Sequence, residues 1–242
     1  MIPQSGAEMT LRSFGRFYLP LIATSYLLTA TNPLLAAALA RTSDPATSLA
    51  GYGVAFALIG VIYAPMLVVQ QVTAQRLLSV GDITRVRRYT WIIGLGLSAL
   101  AALMAFTPVG VFVFREIVGV RDAILDEALS AMSALWPVPI LTGIRALHQG
   151  RLVAGHRTQP IAWATGVRTT VLAAVAFALT TSPAGAWLGA VAFTTGLAAE
   201  ALLVTFSHAP TPQVPELTDA EREGEDRLLS FSTPLMLNVM LW

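Results

Sequence analysis

The sequence predicts an all-α integral membrane protein: a six-helix transmembrane bundle followed by the start of a seventh helix. Three observations predict it. Hydrophobic residues make up 55% of the 242 positions and charged residues only 12%, about half the share that covers the surface of soluble domains. The apolar residues also fall into runs of about 20 or more, long enough to cross a hydrocarbon core at roughly 1.5 Å per helical residue. Finally, the runs do not alternate apolar with polar as barrel strands do. Inside lipid every backbone N–H and C=O needs an internal partner, which leaves the helix.

In chain order the runs are Phe17–Ala40, Tyr52–Leu78, Tyr89–Phe114, Ala123–Leu147, Ile161–Thr181 and Ala184–Phe206, with Leu228–Trp242 opening a seventh. The first is too long for a signal-peptide core and lacks a small-residue cleavage site, so it is expected to be a retained helix. Residues 1–206 form the bundle and 207–227 a cytoplasmic acidic linker. The linker begins Pro-rich (Pro210, Pro212, Pro215) and continues with Glu216, Asp219, Glu221, Glu223, Glu225 and Asp226, the composition of a solvated tether. Residues 228–242 are expected to be the truncated start of a second bundle. Phe231-Ser-Thr-Pro234-Leu235 echoes Phe17-Tyr-Leu-Pro20-Leu21, the same F-x-x-P-L opening an apolar run. Two bundles related by an axis along the membrane normal produce such an echo.

The basic residues are all arginine, and they orient the bundle. Arg12, Arg16, Arg76, Arg85, Arg87, Arg88, Arg145, Arg151, Arg157, Arg222 and Arg227 fall on one side; Arg41, Arg115 and Arg121 fall on the other. Eleven against three places the N-terminus in the cytoplasm of a multi-pass protein of the plasma (cytoplasmic) membrane. Tyr89, Trp91 and Trp163 are then expected at the inner interface, and Tyr52, Phe114 and Trp187 at the outer one.

No catalytic constellation appears, and hydrolase and phosphate-loop motifs are absent, so the chain is not read as an enzyme. It has no cysteine, which excludes disulfides and thiolate metal sites. His148, His156 and His208 lack carboxylate or cysteine partners at ligand spacing, so no metal site is expected. No cofactor and no nucleic-acid partner is expected either. The informative residues are polar groups at membrane depth, which are expensive there. Arg168 and Glu200 each lie about 10 Å inside the cytoplasmic ends of adjacent antiparallel helices. They are expected to form an ion pair or to share a polar cavity. Arg145 lies near the cytoplasmic end of the fourth run. Gln70, Gln71 and Asn32 complete the candidate substrate or coupling residues. Pro33, Pro65, Pro108, Pro137 and Pro139 interrupt the runs. Each removes a backbone donor and clashes with the preceding turn. Pro33, Pro65, Pro137 and Pro139 are candidate hinges, and Trp136-Pro-Val-Pro139 is the strongest break. Gly60, Gly94, Gly189 and Gly196 are expected to allow close helix approach.

Leu49-Ala-Gly-Tyr52-Gly53-Val-Ala55-Phe-Ala-Leu58, followed by Pro65-Met66, resembles the second helix of the progressive ankylosis protein family. That family belongs to the multidrug/oligosaccharidyl-lipid/polysaccharide flippase (MATE-like) superfamily. Three further stretches are similar to a helix set of its second half: Pro139-x5-Arg145-Ala146-x3-Gly150, Val167-Arg168-x2-Val171 and Gly196-x3-Glu200. The resemblance implies two six-helix bundles around a central cavity and export by alternating access, with this chain as the N-terminal half. It also implies efflux of ATP, pyrophosphate or citrate. Related multidrug exporters use a proton or sodium gradient, often through a carboxylate on the first helix. Here the first helix has no Asp or Glu and carries Asn32 instead.

The expected function is therefore a secondary-transporter-type exporter of a small anionic organic or phosphate-containing solute. Arg145 and Arg168 would attract the anion; Glu200 would restrain Arg168 or carry a coupling proton. The alternatives are a multidrug cation antiporter driven by protons or sodium, a lipid-linked saccharide flippase, and a membrane scaffold or enzyme subunit without transport. The expected partners are the lipid bilayer, a small-molecule substrate and a C-terminal bundle of the same protein.

Overall fold

The computed structural model describes residues 26, 27, 29–79, 83–155, 157–181 and 185–207. The start of the first run, the acidic linker, the seventh run and both F-x-x-P-L segments lie outside the described residues, as do His156 and His208. Every described element is a helix, and no strand occurs among the described residues. Helix α1 covers residues 26–27 and 29–39. It is followed by α2 (Pro45–Leu67), α3 (Val69–Ser79), α4 (Thr84–Phe106), α5 (Pro108–Phe112), α6 (Asp122–Leu135), α7 (Val138–Ala154), α8 (Gln159–Ala178) and α9 (Gly185–Phe206). A π-helical turn, Val113–Ile117, extends α5, and a 3-10 turn, Leu179–Thr181, closes α8.

Five segments are long and apolar enough to cross a membrane: Pro45–Leu77, Thr84–Phe106, Asp122–Ala154, Gln159–Ala178 and Gly185–Phe206. They make the chain a helical membrane protein. Contacts at the helix ends fix their relative directions. The Arg41 guanidinium, just before α2, lies 4.9 Å from the centre of the Phe177 ring near the end of α8. The Glu127 carboxylate, in the second turn of α6, accepts a hydrogen bond from the Ala186 amide at the start of α9. At the opposite end Leu152, Ala164 and Val204 pack together from the end of α7, the start of α8 and the end of α9. The span of α6 and α7, α8 and α9 thus alternate in direction, and α2 runs antiparallel to α8.

The core is built largely from small residues. Leu35, Ala38 and Leu39 of α1 meet Ala55 and Ile59 of α2, Ala128, Ala131, Met132 and Leu135 of α6, Leu172 and Ala176 of α8, and Leu188, Ala190, Ala192 and Leu197 of α9. Lipid tails are as apolar as these side chains, so helix association in a bilayer depends on close contact between small residues. The outer surface is apolar instead of charged: Val61, Trp91, Ile92, Leu95, Leu103, Leu202 and Phe206 are exposed.

The prolines set most departures from the predicted boundaries. The second span begins at Pro45, seven residues before Tyr52, because Asp44 caps the helix and Pro45 occupies its first turn. Near its far end, Pro65 precedes the interruption at Val68 that separates α2 from α3. The third span ends at Phe106 and does not reach Phe114. Thr107 is extended, its hydroxyl accepts from the Val109 amide, and Pro108 starts a new short helix. The fourth is broken in mid-course by Pro137, between Leu135 and Val138, and continues to Ala154, beyond the predicted Leu147.

Neighbouring helices satisfy two of the groups freed at that break. Ser98 Oγ of α4 accepts from the Ile140 amide at 3.1 Å, and Thr194 Oγ1 of α9 donates to the Ala134 carbonyl at 2.9 Å. Exposed backbone at membrane depth is tolerated only when protein or water covers it in this way. Of the predicted interfacial aromatics, Tyr52 and Phe114 are buried against neighbouring helices, whereas Trp91, Trp163 and Trp187 are exposed. Gly94, Gly189 and Gly196 lie against neighbouring helices, but Gly60 faces open space.

Candidate functional site

The site is a buried ionic cluster where α7, α8 and α9 meet. At its centre is Glu200, whose side chain is 1% exposed. Gly196, one turn earlier on α9, brings it there. A Cβ on Gly196 would stand 3.0 Å from the Arg168 carbonyl oxygen and 3.1 Å from Leu172 Cβ, so α8 and α9 cross in near-contact. That crossing sets Arg168 level with Glu200.

Four side chains surround the carboxylate. Arg168 Nη1 donates to Oε2 at 3.1 Å, and Arg145 Nη1 approaches the same oxygen at 3.6 Å. Oε1 accepts from Gln149 Nε2 at 3.0 Å and from Thr165 Oγ1 at 3.2 Å. Helical spacing explains the set. Arg145 and Gln149 are one turn apart on α7, and Thr165 and Arg168 are three residues apart on α8, so each pair shares a face.

An isolated carboxylate at this depth would cost several kcal/mol in lost hydration, and three hydrogen-bond donors together with the Arg145 charge offset that cost. The charges do not cancel. Two guanidiniums face one carboxylate, which leaves the ionised cluster with one positive charge in excess. The Nε atoms of both arginines are buried and make no hydrogen bond.

An aromatic column lies beside the cluster. The Arg168 guanidinium sits 5.1 Å from the centre of the Phe193 ring, in the range of a cation–π contact. Phe193 meets Phe56 edge-on at 4.9 Å, and Phe56 stacks on Tyr52 at 5.4 Å. The Tyr52 hydroxyl is buried and makes no hydrogen bond.

The expected meeting of Arg168 and Glu200 is therefore present as a direct ion pair. Arg145 joins them, because α7 runs nine residues past it to Ala154 and carries it about 13 Å inside the helix end. It lies within α7 and not at the helix end. The other candidates lie elsewhere. Asn32 and Pro33 are exposed on α1, Gln71 is exposed, and Gln70 is half-buried on α3. None of these is among the groups that contact Glu200. His148, expected beside a loop, lies within α7 with its Nδ1 3.5 Å from Arg151 Nη1.

Gln149 and Thr165 were not anticipated. The one-turn spacing from Arg145 to Gln149 and the three-residue spacing from Thr165 to Arg168 were available signals for both. No family model, curated protein or solved structure matches this chain.

Proposed function

We propose that this chain is the N-terminal half of a two-bundle, MATE-like secondary transporter that exports a small anionic organic or phosphate-containing solute by alternating access. In this reading it is a multi-pass protein of the cytoplasmic membrane with its N-terminus in the cytoplasm, and a second bundle follows the acidic linker. The observation that supports the reading is the pair of arginines, Arg145 and Arg168, held at membrane depth around one carboxylate. Ionisable groups inside a membrane are expensive and commonly mark a substrate or ion path. An excess of cations there favours an anion over a cationic drug. The break between α6 and α7 adds a joint close to the cluster, in the same pair of helices that carries Arg145.

The test is transport by the full-length protein in proteoliposomes, with labelled citrate and pyrophosphate as probes. Arg168→Gln is expected to reduce initial uptake roughly tenfold or more, the scale of one lost charged hydrogen bond. Uptake that matches the unsubstituted protein would remove Arg168 from the mechanism. Absence of anion transport by the unsubstituted protein would refute the reading itself.

A further inference from the structure

We infer that the two arginines divide the work: Arg168 is the fixed counter-ion of Glu200, and Arg145 is the exchangeable cation that binds a singly charged oxyanion group, a carboxylate or a phosphate. This rests on the transport reading and gives its site a chemistry.

Three observations carry it. The first is distance. Arg168 lies 3.1 Å from Glu200 Oε2, within hydrogen-bonding range, whereas Arg145 lies 3.6 Å from the same oxygen, an ion pair without a hydrogen bond. The second is access. The Arg145 side chain keeps 17% of its exposure, against 9% for Arg168 and 1% for Glu200, so it is the least covered of the three. The third is charge. With Glu200 assigned to Arg168, and with its other oxygen occupied by Gln149 and Thr165, the remaining unit of positive charge belongs to Arg145. One negative charge completes the cluster. A guanidinium suits the task, since its planar fork matches carboxylate and phosphate oxygens. Displacing Glu200 itself would break contacts with three other side chains, so the anion adds to the cluster and does not replace the carboxylate.

The oxyanion can come from a free solute or from a lipid headgroup, and the test separates the two. Inorganic phosphate is titrated into the full-length protein in nanodiscs of zwitterionic lipid, with binding read by calorimetry, and the titration is repeated in nanodiscs containing phosphatidylglycerol. Arg145→Gln is expected to weaken phosphate binding at least roughly tenfold, the effect of removing one charged hydrogen-bond donor. Arg168→Gln is expected to weaken it as well, because Glu200 then takes Arg145 as its partner.

The decisive comparison uses two double variants, each lacking Glu200 and one arginine, so that both carry the same net charge and differ only in which arginine remains. Arg168→Gln/Glu200→Gln is expected to restore binding to within a few-fold, since Arg145 is free again. Arg145→Gln/Glu200→Gln, which carries the same net charge, is expected not to bind. Equal binding by the two double variants would overturn the assignment to Arg145. Failure of the unsubstituted protein to bind phosphate in either lipid, while labelled anions are still transported, would overturn the inference and leave the transport reading standing. Phosphate binding that disappears only in phosphatidylglycerol would support the site and identify a headgroup as its occupant.

Discussion

The Ile140 amide donates to Ser98 Oγ at 3.1 Å, across 42 positions of chain. Its acceptor in an unbroken helix would be the Trp136 carbonyl, in the gap between α6 and α7. The prolines at 137 and 139 open that gap, and α4 closes it chemically. Ser98→Ala leaves a buried N–H without a partner, which costs about 1–3 kcal/mol. A lowered melting temperature in detergent, with faster amide exchange at Ile140, is the expected result. An unchanged exchange rate at Ile140 would show that Ser98 does not hold the break.

Glu200 is the most consequential single side chain. Its loss leaves Arg168 and Arg145 as uncompensated buried charges, a change that destabilises by about 3–5 kcal/mol. Glu200→Ala is therefore expected to express poorly and to melt early. Arg168→Gln/Glu200→Gln, which removes both charges of the pair, is expected to recover much of that stability. Thermal unfolding of the cycle formed by the parent, Arg168→Gln, Glu200→Gln and the double variant measures the coupling, and purely additive effects would contradict the observed pair.

Gly185 opens α9 in the left-handed region, at φ 49°, and a Cβ there would meet the Glu127 carboxylate. The backbone conformation is what demands glycine, since the Glu127 carboxylate can move aside. Gly185→Ala is expected to lower stability by about 1–2 kcal/mol through backbone strain alone. It should also displace Glu127 from the Ala186 amide. Glu127→Gln keeps an acceptor at that position and is expected to be milder. A Gly185→Ala protein as stable as the parent would refute this account of the turn.

Asp44 lies just outside the second span and caps it. Hydrogen bonds from the Thr47 side chain and then the Thr47 amide hold its carboxyl below the ordinary value of 3.8. The ionised form is thus favoured in the folded state. Its stabilisation is fully present above pH 3.8 and is lost as pH falls through the lower folded value. Asp44→Asn, which caps without ionising, is expected to remove this part of the acid sensitivity. If acid titrations of the melting temperature have the same slope in both proteins, the cap does not titrate as described.

The helices were legible because hydrophobic runs report directly on length and solvent. Five of the six complete runs correspond to spans found among the described residues. Their boundaries were less legible. Asp44-Pro45 and Thr107-Pro108 are local start signals that run length alone overlooks. Arg145 shows the consequence: ending the fourth helix at Leu147 makes it an interfacial arginine, whereas ending it at Ala154 buries it beside Glu200. Depth along a helix follows from sequence once the ends are right. Rotation about the helix axis and the identity of the neighbour do not, which is why Tyr52 and Phe114 read as interfacial and yet lie in the core.

By itself the sequence determined the solvent of this protein, the helical form that hydrocarbon imposes on its backbone, and the short roster of ionic groups placed where charge is costly. The tertiary structure decided which of those groups meet. Hydrophobicity accumulates along the chain and can be read from it, but an ion pair depends on the crossing of two helices. Here that crossing is set by the absence of a side chain at Gly196, one turn from Glu200 and in contact with the backbone of Arg168.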